Sequence, residues 1–144
     1  MKFSGIKKGM TQVFDEVGRV TPVTVVAVPK LGELTDVSPG LRLAVSGVTK
    51  GKGFQGVVKR HRFAGGPRSH GQKHSEREPG AIGGGARAGG RVAKGIRMGG
   101  RMGGDRVTVG NLKVMAVDTG SDQILVSGAI PGRRGTKLEL KYEN

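Results

Sequence analysis

The chain has 144 residues and carries 25 Lys and Arg against 11 Asp and Glu, giving a formal net charge of +14 and a pI near 11.0. This length allows a single domain, and the charge indicates a polyanionic partner, nucleic acid before an anionic membrane. The absence of cysteine excludes a disulfide framework and any thiolate metal site. No signal peptide is visible, and residues 23–28, the longest apolar run, are too short to span a bilayer, so we expect a soluble intracellular protein.

The first 18 residues combine a possible core face with a turn. Ile6, Met10 and Phe14 could face a core, and Gly9 marks a bend or a close approach. The segment 15–18, Asp-Glu-Val-Gly, is typical of a turn.

Two strands are predicted before residue 50. Residues 19–28 are rich in β-branched side chains, with Pro22 near the start of the segment. Residues 29–40 contain two Pro and two Gly, which predicts a loop. Residues 41–48 alternate, and one face holds Leu41, Leu43 and Val45.

Residues 50–106 form a basic, glycine-rich stretch that is unlike the rest of the chain. Its 57 residues include 17 Gly, 14 Lys or Arg and three acids. It holds few large apolar residues, so we expect it to be a mobile loop when alone and to become ordered on a polyanion. Glycine permits close backbone passage and positive φ, while arginine contacts phosphates and stacks on bases, which suits a chain threading between RNA helices.

Strand patterns return after the basic stretch. Residues 118–122 are typical of a hairpin connection, and 131–135 of a turn with two exposed cations, Arg133 and Arg134. Leu138 and Leu140 are expected to point inward from the last strand. The predicted strands are residues 107–109, 112–117, 123–130 and 137–141.

These short, regularly spaced strands predict a mainly β protein, a small antiparallel β-barrel. We expect a single domain over 1–144, in which residues 1–49 and 107–144 form the barrel and residues 50–106 form a long irregular extension. No segment shows a persuasive helical period.

Residues 51–58 match the pattern G-x-G-x-x-G-x-V of nucleotide-binding proteins. A dinucleotide site needs a following helix in a βαβ unit, and no helical stripe is visible after Val58. A kinase needs further motifs, and neither H-R-D nor D-F-G occurs. Chance matches are expected among 28 glycines, so we predict no catalytic residues and no cofactor.

His70 and His74 have the spacing of a helical metal pair. However, Gly71 lies between them, no third ligand is evident and the surroundings are cationic, so we expect no metal and favour contact with RNA. For Glu76 and Glu78 we expect local pairing with Arg77 or nearby cations.

Several blocks of this chain together resemble the bacterial form of the third large-subunit ribosomal protein family, universal ribosomal protein L-three. They follow the family's order and cover most of the chain: residues 5–14, 49–60, 70–71, 79–83, 98–103, 106–109 and 126–132.

The resemblance implies a barrel of the translation-factor type and an extension that runs through 23S-type rRNA towards the peptidyl-transferase centre. It also implies direct rRNA binding near the 3′ end, a role early in subunit assembly, and the fourteenth and nineteenth large-subunit proteins as neighbours. We expect a cytoplasmic ribosome, and the shortening between Val28 and Val48 leaves an organellar ribosome open. No membrane or small-molecule substrate is expected.

There are two departures from the family. Between Val28 and Val48 the family usually carries tens of residues more. After Ile82-Gly83 the bacterial pattern often has a methylated glutamine. This chain has Gly-Gly-Ala-Arg at residues 84–87, so the resemblance does not imply that modification here.

We expect rRNA contact from cations along the basic stretch and from one histidine. The full set is Lys50, Lys52, Lys59, Arg60, Arg62, Arg68, His70, Lys73, Arg87, Arg91, Lys94, Arg97, Arg101 and Arg106. The alternatives are a nucleoid or RNA-chaperone protein, which would bind nucleic acid without regard to sequence, and a membrane-active peptide, for which no amphipathic apolar face is visible.

Overall fold

The computed structural model describes residues 2–29, 31–33, 37–84 and 89–142, and they are mainly β. The elements in chain order are β1 (Lys2–Phe14), β2 (Val20–Ala27), a 3₁₀ turn (Leu31–Glu33), β3 (Arg42–Val48), β4 (Phe54–Gln55), α1 (Val57–His61), β5 (Gly100–Arg101), β6 (Arg106–Asp118), β7 (Gln123–Ser127) and β8 (Lys137–Tyr142).

Six of these strands form one antiparallel sheet that closes on itself. The order around the ring is β1-β2-β7-β6-β3-β8, and β8 pairs back onto β1. Each strand therefore has hydrogen-bonded neighbours on both sides over part of its length, and the ring is closed. The prediction of a mainly β, antiparallel fold is confirmed.

The core lies inside the ring and consists of aliphatic side chains from alternate strand positions. Leu43 and Val45 of β3 and Leu138 and Leu140 of β8 are buried, as the alternation predicts. The core cluster comprises Val26, Val28, Leu31, Leu43, Val45, Leu112, Val114, Ile124, Val126, Ile130, Leu138 and Leu140.

The inward face of β1 differs from the prediction. Gly5 and Lys7 are buried, whereas Met10 and Phe14 are 51% and 60% exposed. The prediction for Met10 and Phe14 was wrong because hydrophobicity does not select a glycine and a lysine as the inward residues of a strand. The bend expected at Gly9 is confirmed, since the pairing with β2 shifts register between Lys7 and Gly9.

The C-terminal strands differ from the prediction at their boundaries. Residues 107–109 and 112–117 belong to one strand, β6, because a bulge with Asn111 at φ +57° absorbs the irregularity that indicated a break. β7 ends at Ser127 rather than at residue 130, and Gly128 follows it with φ +75°. The predicted hairpin connection between β6 and β7 is confirmed.

Lys7 connects β1 to the segment between β7 and β8. It is 8% exposed, and its Nζ donates hydrogen bonds to the carbonyl oxygens of Ile130 (2.7 Å) and Gly132 (3.0 Å). Its backbone N donates to Thr136 O at 3.0 Å, and its own O accepts from Gly135 N at 2.7 Å. Burial, and secondarily the positive charge of Lys50, hold the pKa of Lys7 below its usual value of 10.5.

The chain divides into two compact units, residues 1–50 with 104–144, and residues 51–103. The second unit contains β4, β5 and α1, which directly follows the glycine motif at 51–56. The expectation of no helix there was wrong, because five residues are too few to show a helical period. No helix in the described residues is long and apolar enough to cross a membrane.

Replacing Lys7 by Met should destabilise the first unit. The substitution leaves two buried carbonyl groups without a donor, so we expect a loss of about 2 kcal/mol in the free energy of unfolding, measured by urea denaturation. Lys8→Met is the matched control, because Lys8 is exposed on the same strand and its loss should cost about 0.5 kcal/mol at most. Equal stabilities of the two variants would contradict this role for Lys7.

The lowered pKa of Lys7 also predicts a pH dependence. Between its folded-state pKa and 10.5, the unfolded chain binds more protons than the folded chain at this site, so the contribution of Lys7 to stability rises with pH in that window. The stability advantage of the wild type over Lys7→Met should therefore grow as pH rises from neutral towards 10.5. A difference that stays constant or shrinks would show that the pKa is not lowered.

Candidate nucleic-acid interface

Residues 51–103 concentrate positive charge that the unit cannot neutralise by itself. This segment carries 12 Lys and Arg and only two acids, Glu76 and Glu78. Nearly all the described cations are exposed, with Arg60 as the half-buried exception. Exposed cations without carboxylates raise the local concentration of a polyanion, so the unit has the electrostatic character of a nucleic-acid interface.

A short ribbon and one turn of helix order the two ends of this unit. Phe54 pairs with Arg101 and Gln55 with Gly100. The ribbon continues through hydrogen bonds from Lys52 N to Met102 O (2.9 Å) and from Met102 N to Gly53 O (3.0 Å). The two ends of the predicted extension are therefore held side by side.

Arg60 has a structural role within this ribbon. Its Nη1 donates to the carbonyl oxygen of Met98 at 2.9 Å, and His61 Nε2 lies 3.0 Å from the same oxygen. A Cβ atom at Gly100 would lie 2.4 Å from Arg60 Nη1, so glycine at this position leaves room for the guanidinium. Arg60 thus uses part of its hydrogen-bonding capacity inside the protein.

Glu76 closes a loop within the same unit. Its carboxylate pairs with Arg68, and its carbonyl oxygen accepts from Gly66 N at 2.9 Å. The predicted pairing of this glutamate with a nearby cation is confirmed. Arg68 is therefore partly neutralised, although it remains on the surface.

The histidines do not form a helical pair. His70 and His74 have positive φ angles of 61° and 41°, so the chain between them is not an α-helix and the four-residue spacing does not align them on one face. Within the described ranges, no group of three or more His, Cys, Asp or Glu side chains is placed to hold a metal ion. Both histidines are exposed.

Arg106 belongs to the barrel strand β6, where it pairs with Glu139 of β8. Lys2 Nζ also lies 3.0 Å from Glu139 Oε1. The hydrogen bond and charge of Lys2, with a smaller contribution from Arg106, hold the pKa of Glu139 below its usual value. Glu139 therefore stays ionised and partly neutralises Arg106.

The remaining predicted contacts that the structure describes are exposed. Arg87 lies outside the described residues. In the part of the chain that the structure describes, no ion pair involves the following cations: Lys50, Lys52, Lys59, Arg62, Lys73, Arg91, Lys94, Arg97 and Arg101.

Two open cavities in the same unit share Phe63 and Pro79. One, of about 510 Å³, extends past Gly65 and Gln72, and its wall includes Glu78. The other, of about 370 Å³, is lined by Phe63, Pro79, Ala81, Ile82, Gly95, Ile96 and Arg97. The second combines apolar walls with one guanidinium, which are the groups that stack on and hold an unpaired base.

Sequence reasoning missed two features of this arrangement. It did not distinguish Arg60 from the free arginines, because only the approach of Met98 and Gly100 reveals its internal hydrogen bond. It also did not single out Lys7, because the carbonyl groups that its ammonium contacts lie more than 120 residues away in the sequence.

Comparisons with known proteins agree with the sequence motifs. The family described as Ribosomal protein L3 matches residues 23–131. A large ribosomal subunit protein uL3 of Acidothermus cellulolyticus is 38% identical over 194 positions, covering 91% of this chain and 87% of the relative. The uL3 protein of a Dehalococcoides mccartyi strain is 41% identical over 139 positions, covering 93% of this chain and 67% of the relative.

A third relative, uL3 of Herpetosiphon aurantiacus, is 54% identical over 95 positions, which cover 66% of this chain and 44% of the relative. In the Acidothermus alignment, 91% of 144 residues is about 131, so about 60 of the 194 positions have no counterpart in this chain. That number agrees with a shortening of tens of residues relative to the family.

The family match spans most of the chain, and the first of these relatives is similar along nearly its whole length. The chain belongs to the ribosomal protein L3 family.

Proposed function

We propose that this chain is a structural component of the large ribosomal subunit that binds 23S-type rRNA directly and acts early in subunit assembly. Membership of the ribosomal protein L3 family supports the ribosomal assignment, and this family is structural rather than enzymatic. The observation that carries the RNA contact is the set of exposed, unpaired cations between Lys50 and Arg101.

The proposed mechanism is electrostatic. Each Lys or Arg that neutralises a phosphate releases a counterion, which favours binding. For a protein with six to ten such contacts, raising the salt concentration from about 50 to 200 mM lowers the affinity by roughly a factor of 10³–10⁵. With nine unpaired cations in the described segment, we expect a salt dependence of this size. The paired residues Arg68 and Arg106 should contribute less, because Glu76 and Glu139 already share their charge.

The extension would supply contacts to bases as well as to phosphates. The cavity between Phe63, Pro79 and Ile96 is suited to a base that has left its helix, and Arg97 at its wall could hold the neighbouring phosphate. In this proposal residues 50–106 pass between rRNA helices towards the peptidyl-transferase centre. The barrel, of the translation-factor type, lies at the subunit surface beside the fourteenth and nineteenth large-subunit proteins.

Reversing two charges in the extension should block assembly without unfolding the barrel. Arg97→Glu with Arg101→Glu adds repulsion against phosphate at two exposed positions, so we expect incorporation into large subunits to fall by at least tenfold in sedimentation profiles of cells expressing the tagged variant. The control is Arg42→Glu with Lys113→Glu, which reverses the charge of two exposed cations that lie opposite each other on β3 and β6. Normal incorporation of the first variant would contradict the proposal.

The second candidate, a binder without sequence preference, is tested by competition. An rRNA transcript containing the 3′ domain and duplex DNA of equal length are titrated against the full-length protein at physiological salt. We expect the rRNA to bind at least 100-fold more tightly, because specific complexes exceed non-specific ones by about 10³ or more. Equal affinity for the two would favour a nucleoid or RNA-chaperone role.

A further inference from the structure

The turn between β7 and β8 carries a second group of cations, on the barrel unit. Arg133 and Arg134 are exposed there, while the preceding Pro131 and Gly132 are buried. Arg133 and Arg134 lie outside the basic stretch at 50–106 and are not among its predicted rRNA contacts. The hydrogen bonds of this turn fix the backbone that carries the two arginines.

The backbone of this turn is fixed by hydrogen bonds from several directions. The buried Lys7 ammonium donates to Ile130 O and Gly132 O, and the backbone of Lys7 bonds to Gly135 and Thr136. Thr136 N donates to Arg133 O at 3.1 Å, and Arg133 N donates to Thr136 Oγ1 at 3.0 Å. The turn is thus closed on itself and tied to β1.

Gly132 is required for this arrangement. Its φ is +87°, and a Cβ atom there would lie 2.5 Å from Thr136 Oγ1. A side chain at this position is therefore excluded by both conformation and space. The two arginines that follow consequently project from a backbone with little freedom.

Further cations lie near the turn. Arg134 extends over the β1 bulge, where a Cβ atom at Gly9 would be 3.6 Å from both its Nε and its Nη2. Lys50 is near enough to act on Lys7 electrostatically. No carboxylate pairs with Arg133 or Arg134 anywhere in the described residues. The barrel leaves this positive charge uncompensated.

We propose that the Arg133–Arg134 turn is a preorganised clamp for the sugar-phosphate backbone of rRNA, separate from the extension. Two guanidinium groups can bind phosphates bidentately, and because the backbone that carries them is already fixed, binding needs to order only the side chains. This inference rests on the proposed function, because it takes rRNA as the polyanion. RNA fits better than an acidic protein surface, since the same chain offers a second, larger cationic segment for the same ligand.

The salt dependence of RNA binding tests this assignment. Full-length protein with Arg133→Gln and Arg134→Gln is titrated with the 3′-domain rRNA transcript over a series of salt concentrations. Each lost phosphate contact lowers the slope of log K against log salt by about 0.7–0.9, so the double variant should lose about 1.5. Arg133→Lys with Arg134→Lys should keep the slope but bind roughly 3- to 10-fold more weakly, because the bidentate geometry is lost.

The turn lies at the Gly47 end of β3, where a Cβ atom at Gly47 would be 3.4 Å from Pro131 Cβ. The matched control is Arg42→Gln with Lys113→Gln, which removes two exposed cations from the other end of β3. Seven residues of strand separate the two ends by about 20 Å, so this control should leave the slope unchanged. Thermal unfolding of all variants should show that the barrel remains folded, because the substituted positions are exposed.

The outcomes separate this inference from the function on which it rests. If the wild type does not prefer rRNA to duplex DNA, the proposed function fails. If the wild type prefers rRNA but the Arg133–Arg134 Gln variant keeps the wild-type slope, the clamp is wrong and the function stands. If that variant fails to associate with large subunits although its rRNA-binding slope against salt is unchanged, the clamp is also wrong, and an acidic protein neighbour is favoured as the partner of the turn.

Discussion

The dominant physical constraint on this protein is positive charge that its own carboxylates cannot neutralise. Residues 51–103 carry 12 basic and two acidic side chains, whereas the rest of the chain carries 13 and nine. The charge is therefore segregated along the sequence. A nearly balanced segment can close a hydrophobic core, while the unbalanced segment has few apolar residues to bury and many cations to place against an external polyanion.

The barrel tolerates this segregation because its core does not depend on the basic segment. The ring of six strands is closed and buries its aliphatic side chains inside. β3 ends at Val48, which pairs with Arg106 at the beginning of β6. A long segment can thus leave and re-enter the barrel at adjacent positions without opening the sheet.

Residues of the same type have different roles in this chain, and the surroundings of each residue decide its role. Arg60 donates to Met98 O and fits against Gly100, so it orders the protein, whereas Arg62, two residues later, is exposed with no ion pair in the described residues. Lys7 is buried against two carbonyl oxygens, while Lys8 beside it is exposed. Counting cations therefore predicts the class of partner but not which cations can reach it.

The sequence by itself determined the strand content, the inward leucines of β3 and β8, the hairpin before Gln123 and the location of the positive charge. These follow from local alternation, turn chemistry and composition, which are properties of neighbouring residues. It also carried the motifs that indicate the ribosomal family, because those are contiguous blocks.

Only the tertiary structure decided which strands pair, how the ring closes and what Lys7 does. The continuity of β6 depends on a bulge opposite β3, and the inward position of Lys7 depends on carbonyl groups more than 120 residues away. Such contacts join segments that are remote in sequence, so no local pattern encodes them. Which arginines remain free for a partner is decided in the same way, by the groups that the fold brings next to each one.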